Sequence, residues 1–195
     1  MAALSEDIDD VVIREVAQDV WSISRPFTIW KFVPVGGHSV AIKLKSGHVW
    51  LFAWTPLTDL TRSKIAELGE VKYIIAPNPF HYYFLKSYRD AFPDALVIEV
   101  DVLNTKLAVA GWQLDAVITA EAPMTSFGFE DEIEHWTYSG FFSGHKNRDM
   151  AYYHKASKTV ISADLLANLP PSEQYVRTRT TEFHIYIVAQ LNLGL

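Results

Sequence analysis

Tyr73-Ile74-Ile75-Ala76-Pro77-Asn78-Pro79-Phe80-His81-Tyr82-Tyr83-Phe84-Leu85 is the stretch that decides the fold. A short apolar run stops at Pro77-Asn78-Pro79. Proline removes a backbone donor and restricts the residue before it, so this reads as a turn. The turn delivers a single histidine, His81, and an aromatic run follows. Strand, tight loop, polar residue, helix is a common way for α/β enzymes to present a reactive group, and function concentrates on such loops. The expected elements are a buried strand over residues 71–75 and a helix over residues 81–91, limited by Pro93.

Upstream, residues 11–16 and 20–23 alternate as two short strands, with Gln18-Asp19 as their turn. Ser39 to Leu44 alternates with period two. Lys45-Ser46-Gly47 is a hairpin turn, and His48 to Ala53 is the returning apolar strand. A helix capped by Thr58 or Asp59 is expected through Leu68, ended by Gly69. Downstream, residues 95–100 form a third apolar strand. Residues 48–100 therefore read strand, helix, strand, helix, strand, which implies a mixed sheet with helical cover. Residues 106–115 read as helix or loop. Residues 131–137 and 141–143 alternate. Residues 150–154 and 159–164 form a hairpin around Lys155-Ala156-Ser157-Lys158, and a helix starting at Leu165 ends at Pro170-Pro171.

With 195 residues the chain is read as one domain over 1–195, led by a flexible acidic stretch over 1–10. Seventeen Lys and Arg stand against 23 Asp and Glu, a net charge of −6, and no basic cluster reverses it. That excludes a general nucleic-acid binder. The chain has no cysteine, which removes disulfides, thiol nucleophiles and thiolate-bound metals. No apolar run reaches the roughly 18–20 residues of a membrane span, and no secretory leader pattern opens the chain. The expectation is a cytoplasmic protein whose partner is a small-molecule substrate or ligand, with no membrane and no nucleic acid involved.

Three further motifs carry a resemblance. Leu68-Gly69 precedes the strand and the Ala76-Pro77-Asn78…His81 loop, and Phe92-Pro93-Asp94-Ala95 follows. His154-Lys155-Ala156-Ser157-Lys158-Thr159-Val160-Ile161-Ser162-Ala163-Asp164 forms the later hairpin, with Ser143-Gly144-His145 ahead of it. In this order they resemble the metallo-β-lactamase-like superfamily, and within it a branch classed as a domain of unknown function. The resemblance covers roughly residues 15–170. It implies an α/β fold, the four-layer αββα sandwich, shortened at its C-terminal end. In active members a His-x-His-x-Asp-His loop, a Gly-His, a bridging Asp and a last His hold two metal ions, commonly zinc. Carried over, Gly144-His145 matches the Gly-His step, Asp164 matches the bridging Asp, and His81 lies in the metal loop.

The sequence departs from that pattern. Residues 78–83 hold one His and no Asp, and His184 lacks the family's context. The resemblance then implies a degenerate site of at most one metal ion, held by His81, His145 and Asp164. Two imidazoles and a carboxylate leave a fourth position for water. The leading reading is a metallo-hydrolase-like protein acting on an ester, amide or phosphoester with one zinc ion. The alternative is a non-catalytic protein of this fold, without zinc, whose Tyr82 and Tyr83 fill the old metal site and which binds a small ligand or a protein partner. A third reading is a truncated, poorly folded form.

Each candidate also has a plain structural reading. His81 could be a helix-start residue bonded to the Pro-Asn-Pro loop, His145 a surface turn residue beside Lys146-Asn147-Arg148-Asp149, and Asp164 a helix cap. His154 reads as a hydrogen-bonding strand residue, and His48 and His135 as exposed strand residues. His38 reads as a turn residue beside Gly36-Gly37 or a pocket-lining one. Trp54 reads as core or pocket wall.

Overall fold

The computed structural model describes residues 10–29, 33–78, 81–100, 115–119, 125–136, 149–165 and 171–177. Twelve strands and two helices occur among them. In chain order they are β1 (Val12–Ala17), β2 (Val20–Arg25), β3 (Thr28–Ile29), β4 (Val33–Pro34), β5 (Gly37–Lys43), β6 (Val49–Phe52), α1 (Asp59–Leu68), β7 (Val71–Ala76), α2 (Leu85–Ala91), β8 (Leu96–Val100), β9 (Ala116–Ile118), β10 (Ile133–Trp136), β11 (Ala151–His154) and β12 (Thr159–Ser162).

The larger sheet runs β1-β2-β5-β6-β7-β8-β9, antiparallel as far as β6 and parallel from there to β9. Its middle is buried on both faces, so β6 and β7 read as nearly unbroken apolar runs. The smaller sheet, β10-β11-β12, is antiparallel. β3 and β4 form a separate two-stranded ribbon.

Aromatic side chains join the two sheets. Trp50 on β6 is wholly buried and meets Tyr152 of β11 edge-on at 5.0 Å and Phe129 at 6.3 Å. Tyr73 of β7, opposite Trp50, meets Phe129 at 5.0 Å. Each such edge-on pair adds roughly 0.5–1.5 kcal/mol beyond the area it buries. Pleating turns Leu51, Ile74 and Val97 to the other face, where the helices lie. α1 begins at Thr58, whose hydroxyl accepts the Thr61 N–H at 3.2 Å, and buries Thr61, Ile65 and Leu68 at helical spacing. It ends at Gly69, whose N–H bonds to Ile65 O.

Most expected elements are present with ends shifted by a residue or two. The helix expected over 81–91 begins later, at Leu85, because residues 81–84 form a turn tied back to Asn78. β9, β3 and β4 had no sequence expectation. They are two or three residues long, too short for a period to register. The alternation at 141–143 and most of the 106–115 and 165–169 segments lie outside the described residues. His135 is not exposed as expected: it is 6% exposed and shares Ile133's inward face, while Trp136 points out. No helix among the described residues is long and apolar enough to cross a membrane.

Candidate functional site

Parallel strands present their C-terminal ends on one edge, the usual place for ligand crevices in α/β sheets. β7 ends there at Ala76. Pro77 cannot extend the ladder, and Asn78, wholly buried, follows. The Asn78 side-chain oxygen accepts the His81 backbone N–H at 3.0 Å, and its backbone carbonyl takes the same N–H at 3.3 Å. This Asx turn aims the His81 side chain back over the end of the sheet.

The His81 ring lies against Trp54, centroid to centroid 5.3 Å, and near Phe52 at 6.4 Å. Trp54 follows β6, and close packing fixes it. A Cβ on Gly37 would lie 2.0 Å from the Trp54 ring, so only glycine fits there, and Phe27 meets the ring's other side edge-on at 4.8 Å. Trp54 is thus a wall of the site rather than plain core.

The smaller sheet supplies the acids. β11 and β12 pair Ala151 with Ser162, and two more steps of that register set Asp149 opposite Asp164. Asp149 is wholly buried. One of its oxygens accepts three successive backbone N–H groups, from Ala163 (3.2 Å), Asp164 (2.7 Å) and Leu165 (3.1 Å). The other accepts the Asn78 amide at 2.9 Å. The Asn78 amide also donates to Asp164 at 3.1 Å. The Asp164 carboxylate stands 3.7 Å from His81 Nδ1, a second Nδ1 neighbour after the Asn78 oxygen at 2.9 Å.

Burial lowers the His81 pKa, and the carboxylates of Asp164 and Asp149 oppose that shift. Burial also raises the Asp149 carboxyl above the ordinary aspartate value, against the pull of its bonds to Asn78 and the Asp164 N–H. Four donors aimed at its two oxygens favour the ionised form at neutral pH.

His81 and Asp164, read from the sequence as metal ligands, come together. His145 lies outside the described residues. Among the described residues no group of three His, Asp or Glu side chains is placed to hold a metal ion. An imidazole and a carboxylate are donors that zinc accepts, so the residues present fit one ion in part and need a third donor. Asp149 is not that donor, because N–H groups occupy both of its oxygens.

Tyr83 does not fill the site, contrary to the alternative, non-catalytic reading. It is 64% exposed and packs on Phe84. The sequence marks Asn78 only as a turn former and Asp149 only as part of a surface turn. The available signal was position: Asn78 directly follows one buried strand, and Asp149 directly precedes another.

His38 is not a turn residue. It sits on β5, with Nδ1 at 3.0–3.1 Å from the hydroxyls of Ser24 and Ser22 and Nε2 against the Gln174 amide. His154 is a buried strand residue, as expected, bonded through Nδ1 to Ser157 at 2.7 Å.

Residues 17–186 match the family described as domain of unknown function DUF4336. No curated protein matches the chain. Among solved structures, the chain is similar to the DIM-1 metallo-β-lactamase exposed to ceftazidime, with TM-score 0.59, 13% identity, and 80% of this chain and 70% of that one covered. A metallo-β-lactamase from Pontibacter korlensis gives TM-score 0.57 at 17% identity over 83% and 77% of the two chains. The mono-zinc form of the FIM-1 metallo-β-lactamase from Pseudomonas aeruginosa gives 0.52 at 10% identity, over 73% and 63%. At these identities the likeness is one of fold: the chain has the metallo-β-lactamase-like architecture.

Proposed function

We propose that this chain, which belongs to the DUF4336 family, is a metallo-hydrolase-like protein with a reduced site of at most one metal ion. The observation that supports this reading is the meeting of His81 and Asp164. They come from different sheets and far-apart stretches of sequence, yet stand 3.7 Å apart beside the C-terminal end of β7. His145 is the third donor of the proposal, and the two imidazoles with the Asp164 carboxylate make a set that suits zinc. Bound there, zinc would supply a hydroxide nucleophile near neutral pH and polarise a carbonyl or phosphoryl oxygen.

The chain's own groups have separate tasks in this reading. Asp164 is the more solvent-accessible of the two, its side chain 34% exposed against 15% for that of His81. Trp54 walls off one side and limits water around the imidazole. The substrate class is an ester, amide or phosphoester.

Metal analysis of protein purified without chelator tests the proposal. About one equivalent of transition metal is expected, lost in His81→Ala, His145→Ala and Asp164→Ala. Clearly substoichiometric metal in the wild type, unchanged in His81→Ala, would overturn it and leave the non-catalytic ligand-binding reading.

A further inference from the structure

We infer that Asn78 is a positioning residue that fixes which nitrogen of His81 carries the hydrogen: Nδ1 is held as the donor, and Nε2 is the atom offered to a metal ion or a proton.

The argument starts from the amide. Its two ends have neighbours of opposite kind. On one side stand two carboxylate oxygens, Asp149 Oδ1 at 2.9 Å and Asp164 Oδ2 at 3.1 Å, which accept. On the other stands the His81 backbone N–H at 3.0 Å, which only donates. A flipped amide would set its oxygen against both carboxylates and its NH2 against an N–H, losing all three bonds at a fully buried position. Each unmade buried bond costs about 1–3 kcal/mol, so the orientation is decided without reference to the imidazole.

The orientation then decides the imidazole. The Asn78 oxygen can only accept, and His81 Nδ1 lies 2.9 Å from it, so Nδ1 must carry the hydrogen. Asp164, at 3.7 Å from the same nitrogen, is beyond hydrogen-bond length and is not the partner that sets this. The result does not depend on the charge of the ring. A neutral His81 has its lone pair on Nε2, and a protonated one gives up the Nε2 hydrogen first. Among the described residues no hydrogen bond reaches Nε2. A ligand histidine whose other nitrogen donates to a fixed oxygen is held in one tautomer and one ring angle, and loss of such a partner typically weakens metal binding about 10- to 100-fold.

The use of Nε2 rests on the metal reading, while the tautomer stands without it, and the test separates the two. Protein labelled with nitrogen-15 in histidine is recorded by NMR with chelator present, and the His81 signals are identified by their loss in His81→Gln. The wild type is expected to show a hydrogen-bearing Nδ1 and a bare Nε2. Asn78→Ala should shift toward the form with hydrogen on Nε2. A bare Nδ1 in the wild type overturns the inference, and so does an unchanged tautomer in folded Asn78→Ala. If Asn78→Ala does not fold, the wild-type spectrum decides. Zinc is then added. A shift at Nε2 supports the metal reading, with affinity about 10- to 100-fold weaker in Asn78→Ala. A bare Nε2 that ignores zinc keeps the tautomer and removes the metal.

Discussion

Two histidines of this chain sit in polar clusters built from similar parts, and only one of them is left with a nitrogen to use. His38 is exposed at the surface yet bonded at both ring nitrogens. Nδ1 meets the hydroxyls of Ser22 and Ser24, these hydroxyls donate on to Glu173 at 3.3 and 2.7 Å, and Nε2 meets the Gln174 amide. Glu173 also pairs with Arg14. The cluster pins residues 171–177 onto the first hairpin, helped by the Tyr175 hydroxyl on the Phe27 carbonyl at 2.7 Å. Gln174 sits so close to Gly36, at φ +68°, that a side chain there would collide with it. His81 also has an amide and a carboxylate as neighbours, but among the described residues both meet it on one edge of its ring. A histidine bonded at both nitrogens is a fastener. One bonded at a single nitrogen, beside a carboxylate and under an aromatic wall, keeps its other nitrogen for a ligand in the reading proposed above.

The carboxylates divide in the same way, and substitutions there should give the largest effects. Asp149 holds three backbone N–H groups and the Asn78 amide in a water-free place. Asp149→Ala should destabilise by on the order of 3–5 kcal/mol, read as a lower denaturation midpoint with unchanged slope. Glu173 is partly exposed, and its Arg14 partner is 55% exposed, so Glu173→Ala should cost only about 1–2 kcal/mol. Equal losses in the two variants would break the distinction between a site scaffold and a surface fastener.

Glu99 on β8 sharpens the contrast from the other side. It is 1% exposed, among the described residues it has no hydrogen-bond partner at either oxygen, and burial raises its pKa to about 8. Here the folded state holds the proton more tightly than the unfolded chain. Stability should therefore be highest below the unfolded value near 4.5 and fall as pH rises toward about 8, with a limiting slope of about 1.4 kcal/mol per pH unit. Glu99→Gln should remove that slope and be the more stable protein at pH 9 by denaturant titration. A stability profile unchanged by the substitution would mean that Glu99 finds a partner after all.

How much of this could be read in the sequence follows from the range of each interaction. β5, β6 and the α1 cap at Thr58 were legible because alternation, a Lys-Ser-Gly turn and a capping hydroxyl act within a few residues. The position of His81 was legible for the same reason: a buried strand, a proline turn and a histidine are contiguous. Asp149 was not, because its partners are backbone N–H groups 14 to 16 residues away, which any sequence supplies. His135 was legible in principle, because period two puts it on the face of Ile133. The metal pattern was the hardest part, because Asn78 stands among the acids as a neutral amide.

The smallest effect on stability should carry the most information about function. His81 bonds through one ring edge, so His81→Ala should cost about 1 kcal/mol, while His38→Ala, losing bonds at both nitrogens, should cost about 1–2 kcal/mol. For metal content the order reverses: His38→Ala should leave it unchanged and His81→Ala should abolish it. The pair thus separates folding from chemistry within one residue type. If His38→Ala lost metal as well, residues 171–177 would be acting on the site through Phe27 and Trp54, which touch at 4.8 Å, and the two clusters would be one device. If neither variant changed metal content, the free edge of His81 would be serving a bound organic ligand, and the Trp54 wall beside it would be the next place to probe.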